Sequence, residues 1–305
     1  MIAAICLLAY AAALAWLAPP LLSRVTCGGR SPKLAVTVWL TAIAVAVSAW
    51  IAGTIGILRE LVGSHSVDPM RYCTEAILAL HDLGWGGDIA LGAAGFAAVA
   101  ASLVTVKRIA ATLQRFWRRS QSHAHEARLI GAPTGRPGVI LVHTDHAAAY
   151  CVAGKPDAIV VTSSAVQRLT EPELAAVLAH EQAHLNGRHP QLMMLLRALA
   201  TSLPRLPLFA SAVTAVGRLV EMNADDVSAR RHGRDALLTG LVTLAGPLPD
   251  GGTALAAAGT AVLARAERLA APAMRRALLG ERLVLMTAHA TLVAAPLLIA
   301  FVCHH

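Results

Sequence analysis

The sequence predicts a mainly α-helical chain: four transmembrane helices and a cytoplasmic α+β domain with a small sheet. Three observations predict it. Long apolar runs without charge recur along the chain, Lys and Arg cluster on one side of them, and three short β-type segments precede a sharply delimited helix. Apolar residues make up 56% of the 305 residues and charged residues only 14%, with a mean hydropathy of +0.59. Soluble domains carry about 25% charge, so a wholly soluble chain is disfavoured.

The runs 2–22, 34–58, 89–106 and 283–302 contain no Asp, Glu, Lys or Arg. Each is long enough to cross a hydrocarbon core of about 30 Å. The first run has no basic segment before it, so it reads as a retained anchor and not as a cleaved signal peptide. His289, inside the last run, is expected to be packed or hydrogen-bonded.

Orientation follows from the basic residues. Arg24, Arg30 and Lys33 follow the first run, and Lys107, Arg108, Arg115, Arg118 and Arg119 follow the third. The loop between the second and third runs sets Arg59 and Arg71 against Glu60, Asp68, Glu75 and Asp82. The positive-inside rule places 24–33 and 107–282 in the cytoplasm and 59–88 outside. The expected organisation is a membrane region at 1–106, a cytoplasmic domain at 107–282 and a fourth span within 283–305. The net charge of +8 is assigned to juxtamembrane clusters on anionic lipid, with no direct nucleic-acid partner. Cys6, Cys27, Cys73, Cys151 and Cys303 form no CxxC, which excludes a cysteine zinc site. They are expected as thiols, although this topology would allow Cys73 to bridge Cys6 or Cys303.

Within the cytoplasmic part, 107–130 reads as a basic helix and 131–138, with Pro133, Gly135 and Pro137, as a linker. Strands are expected at 139–143, 148–152 and 158–162. Thr170-Glu171-Pro172-Glu173 has the form of a capping box, and Leu174, Val177, Leu178 and Leu185 follow at helical spacing. Asn186-Gly187 supplies a left-handed stop.

This helix carries His180-Glu181-Gln182-Ala183-His184. Residues four apart share a helix face, so His180 and His184 can grip one metal ion with Glu181 beside them. Catalytic zinc needs a third side chain and leaves a position for water. Glu221 is the best candidate, and Asp225, four residues on, can accept the outward N–H of a ligating imidazole. Asp226 points about a quarter-turn away and is weaker; the bland alternative is an acidic patch beside Arg230 and Arg231. His143 and His146 read as turn residues, His189 as a surface residue just past the helix stop, and His123, His125 and His232 take no role. The apolar stretch 192–220 is broken by Arg197, Pro204, Arg205 and Pro207. It reads as a helical hairpin on or in the inner leaflet, or as the buried core of the domain. After Gly233, a helical, Ala-rich stretch is expected to about residue 271.

HExxH followed by Glu221-Met222-Asn223-Ala224-Asp225 resembles the membrane-embedded gluzincin peptidases. These include the CAAX prenyl proteases, the HtpX-type heat-shock proteases and the BlaR/MecR antirepressor peptidases. The resemblance covers about 139–233 by motif, and the span layout is most similar to BlaR/MecR. It implies zinc on His180, His184 and Glu221, Glu181 as the catalytic base, and Asp225 orienting a ligating His. It also implies an edge strand, 158–162 or its neighbour, that holds extended substrate. The implied partners are a protein substrate, specifically a cytoplasmic transcriptional repressor, membrane lipid, and a separate sensor protein. With the last run reaching almost to His305, the fused penicillin-binding sensor of the beta-lactam receptors is not expected here. Membrane-protein quality control of the HtpX kind is the first alternative. A non-catalytic signalling protein with a structural metal is the second, but it would have no use for Glu181.

Overall fold

The computed structural model describes residues 2–63, 85–245, 263–271 and 275–302. Expectations for the outer loop at 64–84, for Cys73 and for Cys303 fall outside these residues. The chain is mostly helical, with one small mixed sheet.

Helices α1 (Ile2–Trp16), α2 (Ala18–Thr26) and α3 (Pro32–Gly63) open the chain. Helix α4 (Trp85–Ile130) runs without a break from the third apolar run into the basic segment. Strands β1 (Ala132–Pro133), β2 (Val139–Val142), β3 (Ala149–Val152) and β4 (Ala158–Thr162) follow, then the short helix α5 (Ser163–Arg168). Helices α6 (Glu171–Asn186), α7 (His189–Ser202), α8 (Pro207–His232) and α9 (Arg234–Ala245) come next. A short helix α10 covers 263–270, and α11 (Arg275–Val302) ends the described chain.

The expectation of four spans is corrected. Among the described residues two helices are long and apolar enough to cross a membrane, Pro32–Ile57 and Arg275–Val302. The first expected span is instead a pair of helices bent by 52° between Trp16 and Ala18, and it counts only if the pair is one span. Pro19 and Pro20 lie in the first turn of α2, and neither can donate a backbone N–H back across the break. The run at 89–106 lies within α4 and is not among the candidates. Helix α11 exposes Leu283, Met286, Leu297 and Phe301, an apolar surface better suited to lipid than to water. His289 sits 3.1 Å from Thr41 Oγ1 of α3, the hydrogen-bonded role expected of it.

The sheet order is β1-β2-β4-β3, with β2 and β4 parallel and the other pairs antiparallel. The β1 strand is an addition, because Ala132 and Pro133 pair with β2 from within the expected linker. All five residues of β4 are buried, since a helix covers each face. Ile159 and Val161 pack with Val177 and Leu178 of α6, while Val160 packs with Ala124 and Ala127 of α4. The period-two alternation of a strand thus fixes α6 on one side of the sheet and α4 on the other. Because β4 is paired on both sides, it has no free edge for a substrate strand. The available edge is its neighbour β3.

The stretch 192–220 forms a helical hairpin. Leu196 of α7 and Leu208, Phe209, Ala212 and Val216 of α8 share a core with Ala35, Val38, Trp39 and Ile43 of α3. The hairpin therefore packs along the candidate span and leads α8 directly to α6. There Ser228 donates to the Ala176 carbonyl at 2.6 Å, a buried bond that sets the two helices against each other. Near the middle of α8, Arg218 donates to the Cys27 and Thr26 carbonyls at the C-terminus of α2, where a cation is favoured.

Candidate metal centre

Helix α6 is built as its sequence reads. Thr170 and Glu173 close the capping box, with the Thr170 N–H donating to Glu173 Oε2 at 2.8 Å. Its stop differs from expectation. Gly187 is right-handed at φ −80°, and the left-handed residue is Arg188 at φ 51°. Gly187 is needed for space: a Cβ there would lie 2.4 Å from His189 Nε2.

His180 and His184 are both buried, and their Nε2 atoms stand 3.1 Å apart. Glu221 of α8 reaches both, with Oε2 at 3.4 Å from His180 Nε2 and Oε1 at 3.5 Å from His184 Nε2. One ligand atom from each of the three lies within 4.8 Å of the others. Ser228, two turns beyond Glu221, holds α8 at the distance that makes this convergence. Asp225 brings Oδ1 to 3.1 Å from His180 Nδ1, off the line of the ring N–H. The contact is therefore electrostatic, not an aligned hydrogen bond. Asp226 faces away and forms a two-armed pair with Arg268 at 2.9 and 3.0 Å.

Two participants carried no sequence signal that was read correctly. His189 is buried, not on the surface; its Nδ1 is 2.9 Å from His184 Nδ1, and Asn223 stands 3.3 Å from its Nε2. The small residue between His184 and His189 was the available clue. Arg265 of α10 donates to both oxygens of Asp225, at 2.9 and 2.6 Å, and stands 3.3 Å from Glu221. It lies in a stretch of alanines with no motif, so spacing could not have revealed it. His143 and His146 are exposed and stand apart from the cluster.

The electrostatics agree with a cation site. Burial opposes charge on His180, but Asp225 and Glu221 outweigh it and hold its pKa up at about 9. Burial would raise Glu221, yet His180, His184 and Arg265 keep it well below the usual carboxylate range. His189 is pushed down to about 4 by burial and by His184, so it is neutral and able to accept. Burial raises Glu181, partly countered by the two histidines. Glu181 Oε2 accepts the Cys151 N–H of β3 at 2.9 Å. Ala148 and Tyr150 are the residues of this strand that bond with β4, so Ala149 and Cys151 turn their backbone groups to the free edge.

Residues 113–291, over half of the chain, match the profile of Peptidase family M48. The chain belongs to peptidase family M48. That family comprises zinc metallopeptidases, so the chain is a metallopeptidase by family and its substrate class is protein or peptide. No solved structure matches the chain. The match spans α6, α8 and α10, the helices that supply the cluster. The donor set fits the family's zinc. Two Nε2 atoms 3.1 Å apart cannot both carry hydrogen, so at least one presents a lone pair toward Glu221. Two imidazoles and one carboxylate are a regular catalytic zinc set.

Proposed function

We propose that this M48 member is a membrane-anchored zinc endopeptidase whose catalytic domain, about 107–282, lies in the cytoplasm and cleaves a transcriptional repressor in response to a signal. The convergence of His180, His184 and Glu221 from two separate helices carries the reading. In this reading α3 and α11 anchor the protein, the apolar first part of α4 returns the chain to the inner face, and the positive-inside bias sets the orientation. The motif resemblance to the BlaR/MecR peptidases supports a repressor as substrate, with a separate protein supplying the signal.

His180, His184 and Glu221 would hold the zinc, with the Asp225 carboxylate against His180 Nδ1 favouring the ring's place in the site. When bound, zinc supplies Lewis-acid activation of water and polarisation of the scissile carbonyl. Glu181 takes the proton from the attacking water and hands it to the leaving amine, which departs neutral. Its raised pKa suits it to do both. The Cys151 N–H fixes its carboxylate, and the remaining free-edge groups, the Ala149 N–H and C=O and the Cys151 C=O, align the substrate backbone as an added strand. His189 neutralises nothing; it receives the His184 Nδ1–H and so turns His184 Nε2 toward the metal.

The test is to look for a repressor-like reading frame beside this one and, with that repressor, to co-express the chain. Loss of the intact repressor with wild-type protein, and its persistence with Glu181→Gln, is the expected result. Broad degradation of unfolded membrane proteins, with the repressor untouched, would shift the reading to quality control.

A further inference from the structure

A cavity of about 1310 Å³ opens beside Glu221 and Arg265, between α8, α10 and the N-terminal ends of α3 and α11. Its lining includes eight Lys or Arg side chains against three carboxylates. The ion pairs do not balance that excess. Arg265 is matched by Asp225 and Glu221, Arg268 by Asp226, and Arg30 by Glu281. Arg218 and Arg282 bond only to neutral oxygens. Among the described residues Lys33, Arg230 and Arg234 have no partner at all, and all three are exposed. Of the three carboxylates only Glu267 is left without a cation, and a metal ion on Glu221 makes the field more positive still.

The length of this lining decides what fits it. Lys33 stands in the first turn of the α3 candidate span, while Arg230 lies at the far end of α8. Glu221 and Arg230 are nine residues apart on one helix, about 14 Å at 1.5 Å per residue. Arg230 and Arg234 follow Glu221 toward the end of α8 and the start of α9, past the part of α8 that packs on the α3 candidate span. The basic lining therefore continues away from the apolar core that the two helices share. An extended polypeptide covers that distance in roughly four residues.

We propose that this cavity receives an acidic stretch of the substrate polypeptide flanking the scissile bond. The inference rests on the peptidase reading above and adds the substrate's charge. Its test is binding, measured apart from cleavage. Full-length Glu181→Gln protein is loaded with zinc in neutral-lipid nanodiscs and titrated into fluorescein-labelled peptides, read by anisotropy. One peptide carries four Glu in a neutral background, and its counterpart carries four Gln. The Glu peptide is expected to bind at least tenfold tighter. Arg230→Gln with Arg234→Gln should remove about tenfold of that, as two partly screened ion pairs do, and Arg230→Lys with Arg234→Lys should retain it. Equal affinity for the two peptides would overturn the proposal, and so would a Glu preference untouched by the double Gln variant. If that variant instead loses only association with added phosphatidylglycerol, the cavity is a lipid site and the proposal is wrong. Zinc-dependent hydrolysis by wild-type protein is scored separately. Its absence alongside selective Glu-peptide binding would remove the peptidase reading and leave the acidic-ligand site standing.

Discussion

Asp225 is completely buried, and Arg265, forty residues later in the chain, closes on it with two guanidinium bonds at 2.9 and 2.6 Å. This pair ties α10 to the helix that carries Glu221. It also keeps Asp225 charged beside His180, against the pull of burial.

Removing the cation alone would strand a buried carboxylate. Arg265→Met is expected to destabilise the protein by about 3–5 kcal/mol, the usual cost of breaking a buried ion pair from one side. Pairing it with Asp225→Asn should recover a large part of that loss. Thermal unfolding in a fixed detergent measures both; equal stability of Arg265→Met and wild type would show that the pair has no structural role.

The same pair gives a pH dependence with a definite sign. Folded Asp225 titrates below its unfolded value near 4, because Arg265 and His180 favour its charged form. Its stabilisation is therefore complete above about pH 4–5 and is lost as pH falls through the lower folded pKa. The melting temperature of metal-free protein should fall more steeply between pH 5 and 3 in wild type than in Asp225→Asn.

Glu221 and Asp226 differ in direction, and so should their variants. Glu221→Ala is expected to lose stoichiometric zinc through dialysis against a weak chelator, whereas Asp226→Asn retains it, because Asp226 is committed to Arg268. Metal analysis of the purified proteins checks this; retention by Glu221→Ala would move the third ligand elsewhere.

His189 gives a test without touching a proposed ligand. Gly187→Ala places a Cβ 2.4 Å from His189 Nε2 and must push the ring off His184. Zinc affinity is expected to fall about 10–100-fold in Gly187→Ala and in His189→Phe alike, as it does when the group orienting a ligating histidine is lost. Competition with a chromogenic chelator reads the change; wild-type affinity in both variants would make the His184–His189 contact incidental.

Strands β2, β3 and β4 and the two helices of the cluster were legible because they are local. A capping box, a four-residue histidine spacing and short runs rich in Val and Ile need only neighbouring residues to be read. What was not legible came from tertiary packing. Nothing near 158–162 says that β3 takes the outer position and leaves β4 central. Arg265 meets Asp225 only after the chain has passed through 246–262, and His189 turns inward only because Gly187 lets it. The spans were over-read for a related reason. Apolar composition marks a run as insoluble in water, but it does not show where the first run bends ahead of Pro19 and Pro20.

Peptide turnover by Glu181→Gln at matched zinc content tests the account most directly. The variant should hold one zinc per chain, as wild type does, and cleave about 10²–10⁴-fold more slowly, the loss that follows removal of a positioned acid–base group. Cleavage at the wild-type rate with the metal in place would contradict it.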